Sequence, residues 1–229
     1  MLGGRWKPLH NLLAATLFAD VLVACGSAGQ CYVRNDSPLA GVAGATVVLE
    51  LVSLATGAPA APATRLPLAA LPPGPAAVSF FCAADGSLKS PCTPWSAILT
   101  AAGCRPDASD CFLNASVADG ATGASLSWNP SLLAPPSALL AGLQPPALSA
   151  ELEQPAPPPG APIRVRVVAA AAPALFVTLT SLAQGHFDRN AFFLAPGPAN
   201  ALDVLFLPLP GAGAEVYGEL ASTLRVQSL

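Results

Sequence analysis

Charge is scarce in this sequence. Lys and Arg number 10 and Asp and Glu 13 among 229 residues, for a net charge of −3. The basic residues are scattered, which leaves no electrostatic footprint for nucleic acid, and there is no acidic tail. Histidine is nearly absent, with only His10 and His186, and no pair of cysteines has the C-x2-C spacing. A zinc site of the usual ligand pattern is therefore not expected, nor any other metal or cofactor. The sequence also lacks a Gly-x-Ser-x-Gly elbow and a phosphate-binding glycine loop, and two lone histidines do not make a triad. Aromatic residues are sparse at 6%, so the few present are expected to mark the core.

Apolar residues, by contrast, make up 53% of the chain, much of it alanine. Alanine buries little area per residue, so the core material is plentiful but thin. Pro (26) and Gly (19) together reach about a fifth of the chain, short of the roughly 25–30% typical of low-complexity disorder. Many turns and short elements are implied. Six cysteines, Cys25, Cys31, Cys82, Cys92, Cys104 and Cys111, all fall in the first half. An even, clustered set suits disulfides formed in an oxidising compartment; the other reading is a set of small buried apolar residues. Cys104 and Cys111 flank a short polar loop, Arg105 to Asp110, that suits a closed ring. The pairing of the other four is left open.

The N-terminus admits two readings. Arg5 and Lys7 precede an apolar stretch ending in Leu22-Val23-Ala24-Cys25, which has the layout of a signal peptide and resembles a lipoprotein cleavage box. Against this, Asp20 interrupts the stretch, and Leu9, Leu13, Leu17 and Val21 recur every four residues, as on an amphipathic helix. The helix reading covers residues 6–22. The stretch is too short and interrupted to cross a membrane as a helix, and no membrane partner is expected.

Beyond Gly29 the texture is that of short strands. Cys31 to Ser37, Ala45 to Leu54, Ala77 to Cys82, Cys111 to Ala118 and Ala124 to Trp128 are β-like segments bounded by turn residues. Thr56 to Ala77, rich in Ala and Pro, reads as a long loop. Trp95 to Ala102 fits one short helical turn. Prolines crowd residues 134–162 and mark a break between domains. After it, Ile163-Arg164-Val165-Arg166-Val167 alternates strictly, so one face is buried and one is wet. Ala174 to Leu182, Ala201 to Leu207 and Thr223 to Gln227 continue the strand pattern. The fold class expected is mainly β: two immunoglobulin-like β-sandwiches, over 28–145 and 146–229, preceded by a helical segment within 1–27.

Few residues stand out as chemical. Asn114-Ala115-Ser116 is an N-glycosylation sequon, and Asn35-Asp36-Ser37 is a second, weakened by the following Pro38. Trp95 and Trp128 are candidates for stacking on a sugar ring, though core packing explains both more simply. His186 beside Asp188 is the nearest thing to a polar constellation; a solvated turn before a strand is the plainer reading, and contact with a neighbouring domain or a sugar the sharper one. Glu151 and Glu153 share a strand face and read as solvated.

Three patches resemble the C-terminal region of β-mannosidases of glycoside hydrolase family 2. Gly3-Gly4-Arg5-Trp6-Lys7-Pro8-Leu9-His10 looks like the segment opening the last helix of that family's catalytic barrel. Phe187-Asp188-Arg189-Asn190-Ala191-Phe192-Phe193-Leu194 is similar to a motif of its terminal immunoglobulin-like domain, with Arg189 and Ala191 as departures. Leu224-Arg225-Val226-Gln227-Ser228-Leu229 is like its final strand. If the family's glycine at the position of Ala191 has positive φ, Ala191 makes that turn strained.

The resemblance implies that residues 1–27 are what remains of a (β/α)8 barrel, and that the chain is a C-terminal fragment, a truncated gene product or a subunit of a split enzyme. It also implies a retaining parent enzyme that releases terminal β-linked mannose. The partner would be the catalytic barrel, with oligosaccharide met only through it. Retaining glycosidases need two carboxylates about 5–5.5 Å apart, in this family two glutamates, the acid following an Asn. None of Glu50, Glu151, Glu153, Glu215 and Glu219 follows an Asn, so no catalytic residue is assigned. The expected location is the secretory pathway, a lysosome or vacuole, or the extracellular space. The alternative is a secreted or lipid-anchored immunoglobulin-like binding module with a signal peptide over residues 1–25.

Overall fold

Alternating apolar residues in the first 142 positions form two sheets. The computed structural model describes residues 10, 13–14, 16–74, 78–84 and 92–228. Contacts divide the chain into two compact units, one built chiefly of Ala14–Leu54 and Ala58–Gly142, the other chiefly of Leu143–Leu229. In the N-terminal unit the strands are β1 (Val21–Cys25), β2 (Gln30–Asn35), β3 (Val42–Ser53), β4 (Thr64–Leu71), β5 (Val78–Cys82), β6 (Cys111–Asp119) and β7 (Ser125–Ser131). Two short helices, α1 (Trp95–Ala101) and α2 (Pro136–Leu140), sit among them.

One sheet has the order β1-β2-β5 and the other β4-β3-β6-β7, and all their pairings are antiparallel. The period of two places Val47, Leu49 and Leu51 of β3 beside Val117, Ala115 and Leu113 of β6 on the buried face. Val23 and Val33 of the first sheet are fully buried. Val23 N–H donates to Ser127 Oγ at 3.3 Å, and Asn129 Nδ2 donates to Val23 O at 2.9 Å, tying β1 to β7.

Three disulfides staple this unit. Cys25–Cys31 joins directly paired positions of β1 and β2, Cys82–Cys92 anchors the end of β5, and Cys104–Cys111 closes the loop between α1 and β6. Among the described residues no cysteine is free.

Two expectations are corrected here. The helix over 6–22 gives way to strand at Val21. His10, Leu13, Ala14 and Thr16 are helical, while Trp6 and Leu9 lie outside the described residues. Val21 and Val23 also fit a period of two, and tertiary burial of both decides for strand. The long loop expected over Thr56 to Ala77 contains the eight-residue strand β4. Pro67 disguises it, but β4 is an edge strand, where a missing N–H is tolerated.

The C-terminal unit has β8 (Leu148–Leu152), β9 (Ile163–Ala169), β10 (Ala174–Thr180), β11 (Gly185–Phe187), β12 (Phe192–Leu194), β13 (Leu202–Pro208), α3 (Glu215–Thr223) and β14 (Arg225–Gln227). Its sheets have the orders β11-β13-β9-β8 and β12-β10-β14. Their shared core includes Val165, Val167, Val177, Leu179, Val204, Phe206 and Leu220. Phe187 and Phe206 meet edge to face with centroids 5.2 Å apart. The mainly β, immunoglobulin-like architecture expected from the sequence is the one observed. Helix α3 departs from the strand pattern expected at the C-terminus: Val216 and Leu220, four apart, are its buried side chains, and Thr223 ends the helix rather than opening a strand.

Candidate functional site

The β11–β12 turn shows why its residues are there. Asn190 is buried at 7% exposure. Its Nδ2 donates to Leu179 O at 2.8 Å, and its Oδ1 accepts from Leu179 N–H at 2.8 Å and from Ala191 N–H at 3.2 Å. The side chain thus substitutes for a strand partner along β10. Asp188 does the same for β13: its N–H donates to Leu205 O at 2.8 Å and its Oδ1 accepts from Leu205 N–H at 2.9 Å. Arg189 lies 3.7 Å from Asp188 Oδ2. Ala191 has φ 58°, in the left-handed region, which carries a penalty of about 1–2 kcal/mol for a residue with a Cβ. His186 is half-buried on β11, opposite Leu207. What the structure shows at this turn is backbone bonding by Asp188 and Asn190.

The tryptophans separate. Trp95 is buried in α1, and its indole N–H donates to Gly26 O at 2.6 Å. Trp128 is half-buried on β7, directly opposite Ser116 of β6. The sequon asparagines separate too. Asn35 is fully buried; its Nδ2 donates to Ala40 O at 3.0 Å and Leu71 O at 3.1 Å, and its Oδ1 accepts from Ser37 N–H at 3.0 Å. Asn114 is half-buried on β6, between Glu50 of β3 and Pro130 of β7.

The two units differ in their cavities. In the N-terminal unit one of about 240 Å³ is lined by Leu49, Leu51, Leu113, Trp95, Ile98 and Pro62 among others, without a carboxylate. In the C-terminal unit an open groove of about 550 Å³ lies between β8 and Leu224–Val226, and Glu151 is its one carboxylate. Glu50 is on β3, Glu153 follows β8 and pairs with Arg164 at 3.6 Å, and Glu215 and Glu219 are on α3. No two of these glutamates share either cavity. Cys104, Asp110 and Cys111 bring ligand-type atoms together, but both sulfurs are in a disulfide and Asp110 Oδ1 accepts from Arg105 N–H at 2.8 Å. Two aspartates have carboxyls held below their ordinary value, Asp107 chiefly by the Ser109 backbone N–H and Asp119 chiefly by the Thr122 backbone N–H. Asp107 is in the exposed loop between α1 and β6, and Asp119 ends β6 ahead of the turn to β7.

Two antiparallel sandwiches, one of them held at its turn by an Asp and an Asn, define an immunoglobulin-fold protein. Residues 143–229 match the mannosidase family of such domains (Ig_mannosidase: Ig-fold domain). In fold, the chain is similar to the crystal structure of β-D-mannosidase from Dictyoglomus thermophilum, with a TM-score of 0.56 and 13% identity over 91% of this chain. The chain spans 21% of that protein's length. No curated protein sequence matches it. The resemblance to the C-terminal immunoglobulin-like region of β-mannosidases therefore holds in sequence for the last 87 residues (143–229) and in fold for most of the chain.

Three disulfides belong to an oxidising compartment, extracellular or secretory. No described helix is long and apolar enough to cross a membrane.

Proposed function

We propose that this chain is the non-catalytic accessory part of a β-mannosidase-like glycoside hydrolase, a glycoprotein of the secretory pathway, and that it supports a catalytic barrel which cleaves terminal β-linked mannose by a retaining mechanism. The match of residues 143–229 to the mannosidase immunoglobulin-fold family carries this reading. The distribution of glutamates supports it, since a retaining cleavage requires an acid and a nucleophile facing one sugar. The secreted, lipid-anchored alternative needs cleavage before Cys25. That would remove Val21 and Val23 from the core and leave β2 without its β1 partner, so the integrity of β1 weighs against it.

The test is to join the chain to the C-terminus of a β-mannosidase barrel and compare the fusion with that barrel alone on a chromogenic β-mannoside. The accessory reading expects the fusion to be more active or to survive heating longer. Equal activity and equal inactivation rates would contradict it.

A further inference from the structure

We propose that Asn114 carries an N-linked glycan and that Asn35 does not. Pro38 already weakens the Asn35 sequon in the sequence, and the fold separates the two sites further. N-glycosylation joins the side-chain amide nitrogen to the anomeric carbon of an oligosaccharide activated as a lipid pyrophosphate. The C–O bond to the pyrophosphate breaks, the leaving group takes the electron pair, and the nitrogen gives up one proton. The modified nitrogen must then have room for a sugar in the folded chain.

Asn35 has none. It is fully buried, and both N–H bonds of Nδ2 are used on the carbonyls of Ala40 and Leu71. A sugar on that nitrogen would remove one of the bonds and force a large polar group into the corner between β2 and β4. That corner also holds Ser37, the hydroxyl residue of the sequon, which is itself buried and accepts from Ala40 N–H at 3.2 Å.

Asn114 is arranged the other way. Its neighbours Leu113 and Ala115 point into the core at 1% and 0% exposure, so by the strand period Asn114 and Ser116 point to the opposite face. Its Oδ1 is buried without a hydrogen-bond partner, and among the described residues its Nδ2 has no bond that a sugar would break. The amide is thus free of the backbone bonds that hold Asn35. Ser116, half-buried two residues on, completes the sequon on the same outward face. Trp128 faces Ser116 across β6–β7, which makes it the diagonal neighbour of Asn114, about 7–8 Å away in a sheet. Its half-exposed ring offers an apolar wall to the first sugar, a role that uses the ring without a free-sugar site.

This inference rests on the secretory-pathway reading, and the experiment supplies that pathway directly. The full chain is expressed with a leader in a eukaryotic secretory host. Both secreted and cell-retained chains are treated with an N-glycosidase in heavy-oxygen water and mapped by mass spectrometry, with thiol titration reporting the six cysteines. The expected result is conversion of Asn114 to labelled Asp in the disulfide-bonded chain, with Asn35 unconverted. Ser116→Ala should abolish the gel shift, and so should Asn114→Gln. An oxidised chain with Asn114 unmodified would overturn the proposal, as would occupancy of Asn35 in that chain. Free thiols in an Asn114-glycosylated chain would instead count against the secretory-pathway reading alone.

Discussion

All three disulfides lie in the N-terminal unit, and residues 143–229 contain no cysteine. The C-terminal unit secures its β11–β12 turn with Asn190 and Asp188, which bond to the backbone of Leu179 and Leu205. Core composition does not follow that division. The C-terminal core clusters Phe187, Phe192 and Phe206 with Val and Leu, and the N-terminal core buries Phe81, Phe112 and Trp95 with leucines and valines, while Leu17, Phe18, Leu39 and Phe80 of that unit stay exposed. A cross-link stabilises by restricting the unfolded chain; a buried amide stabilises by satisfying backbone groups that would otherwise be stranded. The two units should therefore fail under different treatments.

Reduction is the harshest way to break the comparison. Loops of six to ten residues correspond to about 2–3 kcal/mol per bridge in the chain-entropy account. The three together rival the whole stability of a small domain, about 5–15 kcal/mol. A reductant should therefore abolish hydrogen-exchange protection in β1–β7 while β9, β10 and β13 stay protected. Equal loss in both units would show that they unfold as one.

The reverse asymmetry comes from Asn190→Ala. It strands the N–H and C=O of Leu179 inside the sandwich, each at a cost of about 1–3 kcal/mol. Chemical denaturation followed by exchange should show the C-terminal unit opening first, with the N-terminal unit unchanged. Ala191→Gly works in the opposite direction. Relief of the positive φ should raise the midpoint of the C-terminal unit, a gain of about 1 kcal/mol after the entropy cost of glycine.

That strain was legible before the fold, because Ala191 stands where the similar motif has glycine. The alternation of Ile163 to Val167 also gave β9 with its buried and wet faces, since strict period two leaves few other readings. Other elements were not legible. β4 hides behind Pro67 and a run of alanines, which carry no pattern until an edge position is known. Helix α3 contains Gly218 and lies in a Gly- and Ala-rich segment; Val216 and Leu220, four apart, were its one periodic signal. The bonding of Asn190 and the contrast between Asn35 and Asn114 depend on which side chains the pleat turns inward, and composition does not encode that.

Acid should produce the smallest difference between the units. Asp107 and Asp119 have carboxyls held below their ordinary 3.8 by turn N–H groups. For a lowered folded-state value, the contribution is complete above the unfolded value and is lost as pH falls through the folded one. Protection of the 105–111 and 119–124 turns should therefore decline only below about pH 4, in steps removed by Asp107→Asn and Asp119→Asn. No change between pH 5 and pH 2 would contradict the bonding described.

The most direct test of the proposed accessory role, in which the chemistry lies on a separate barrel, is covalent trapping. A retaining enzyme forms a glycosyl bond to its carboxylate nucleophile, and an activated 2-deoxy-2-fluoromannoside makes that bond long-lived. The purified 229-residue chain and a barrel-bearing fusion would be incubated with the reagent and read by intact-mass and peptide mass spectrometry. The expected result is an unmodified mass for the chain alone and a label confined to the barrel in the fusion; a fluoromannosyl adduct on Glu50, Glu151, Glu153, Glu215 or Glu219 would contradict it.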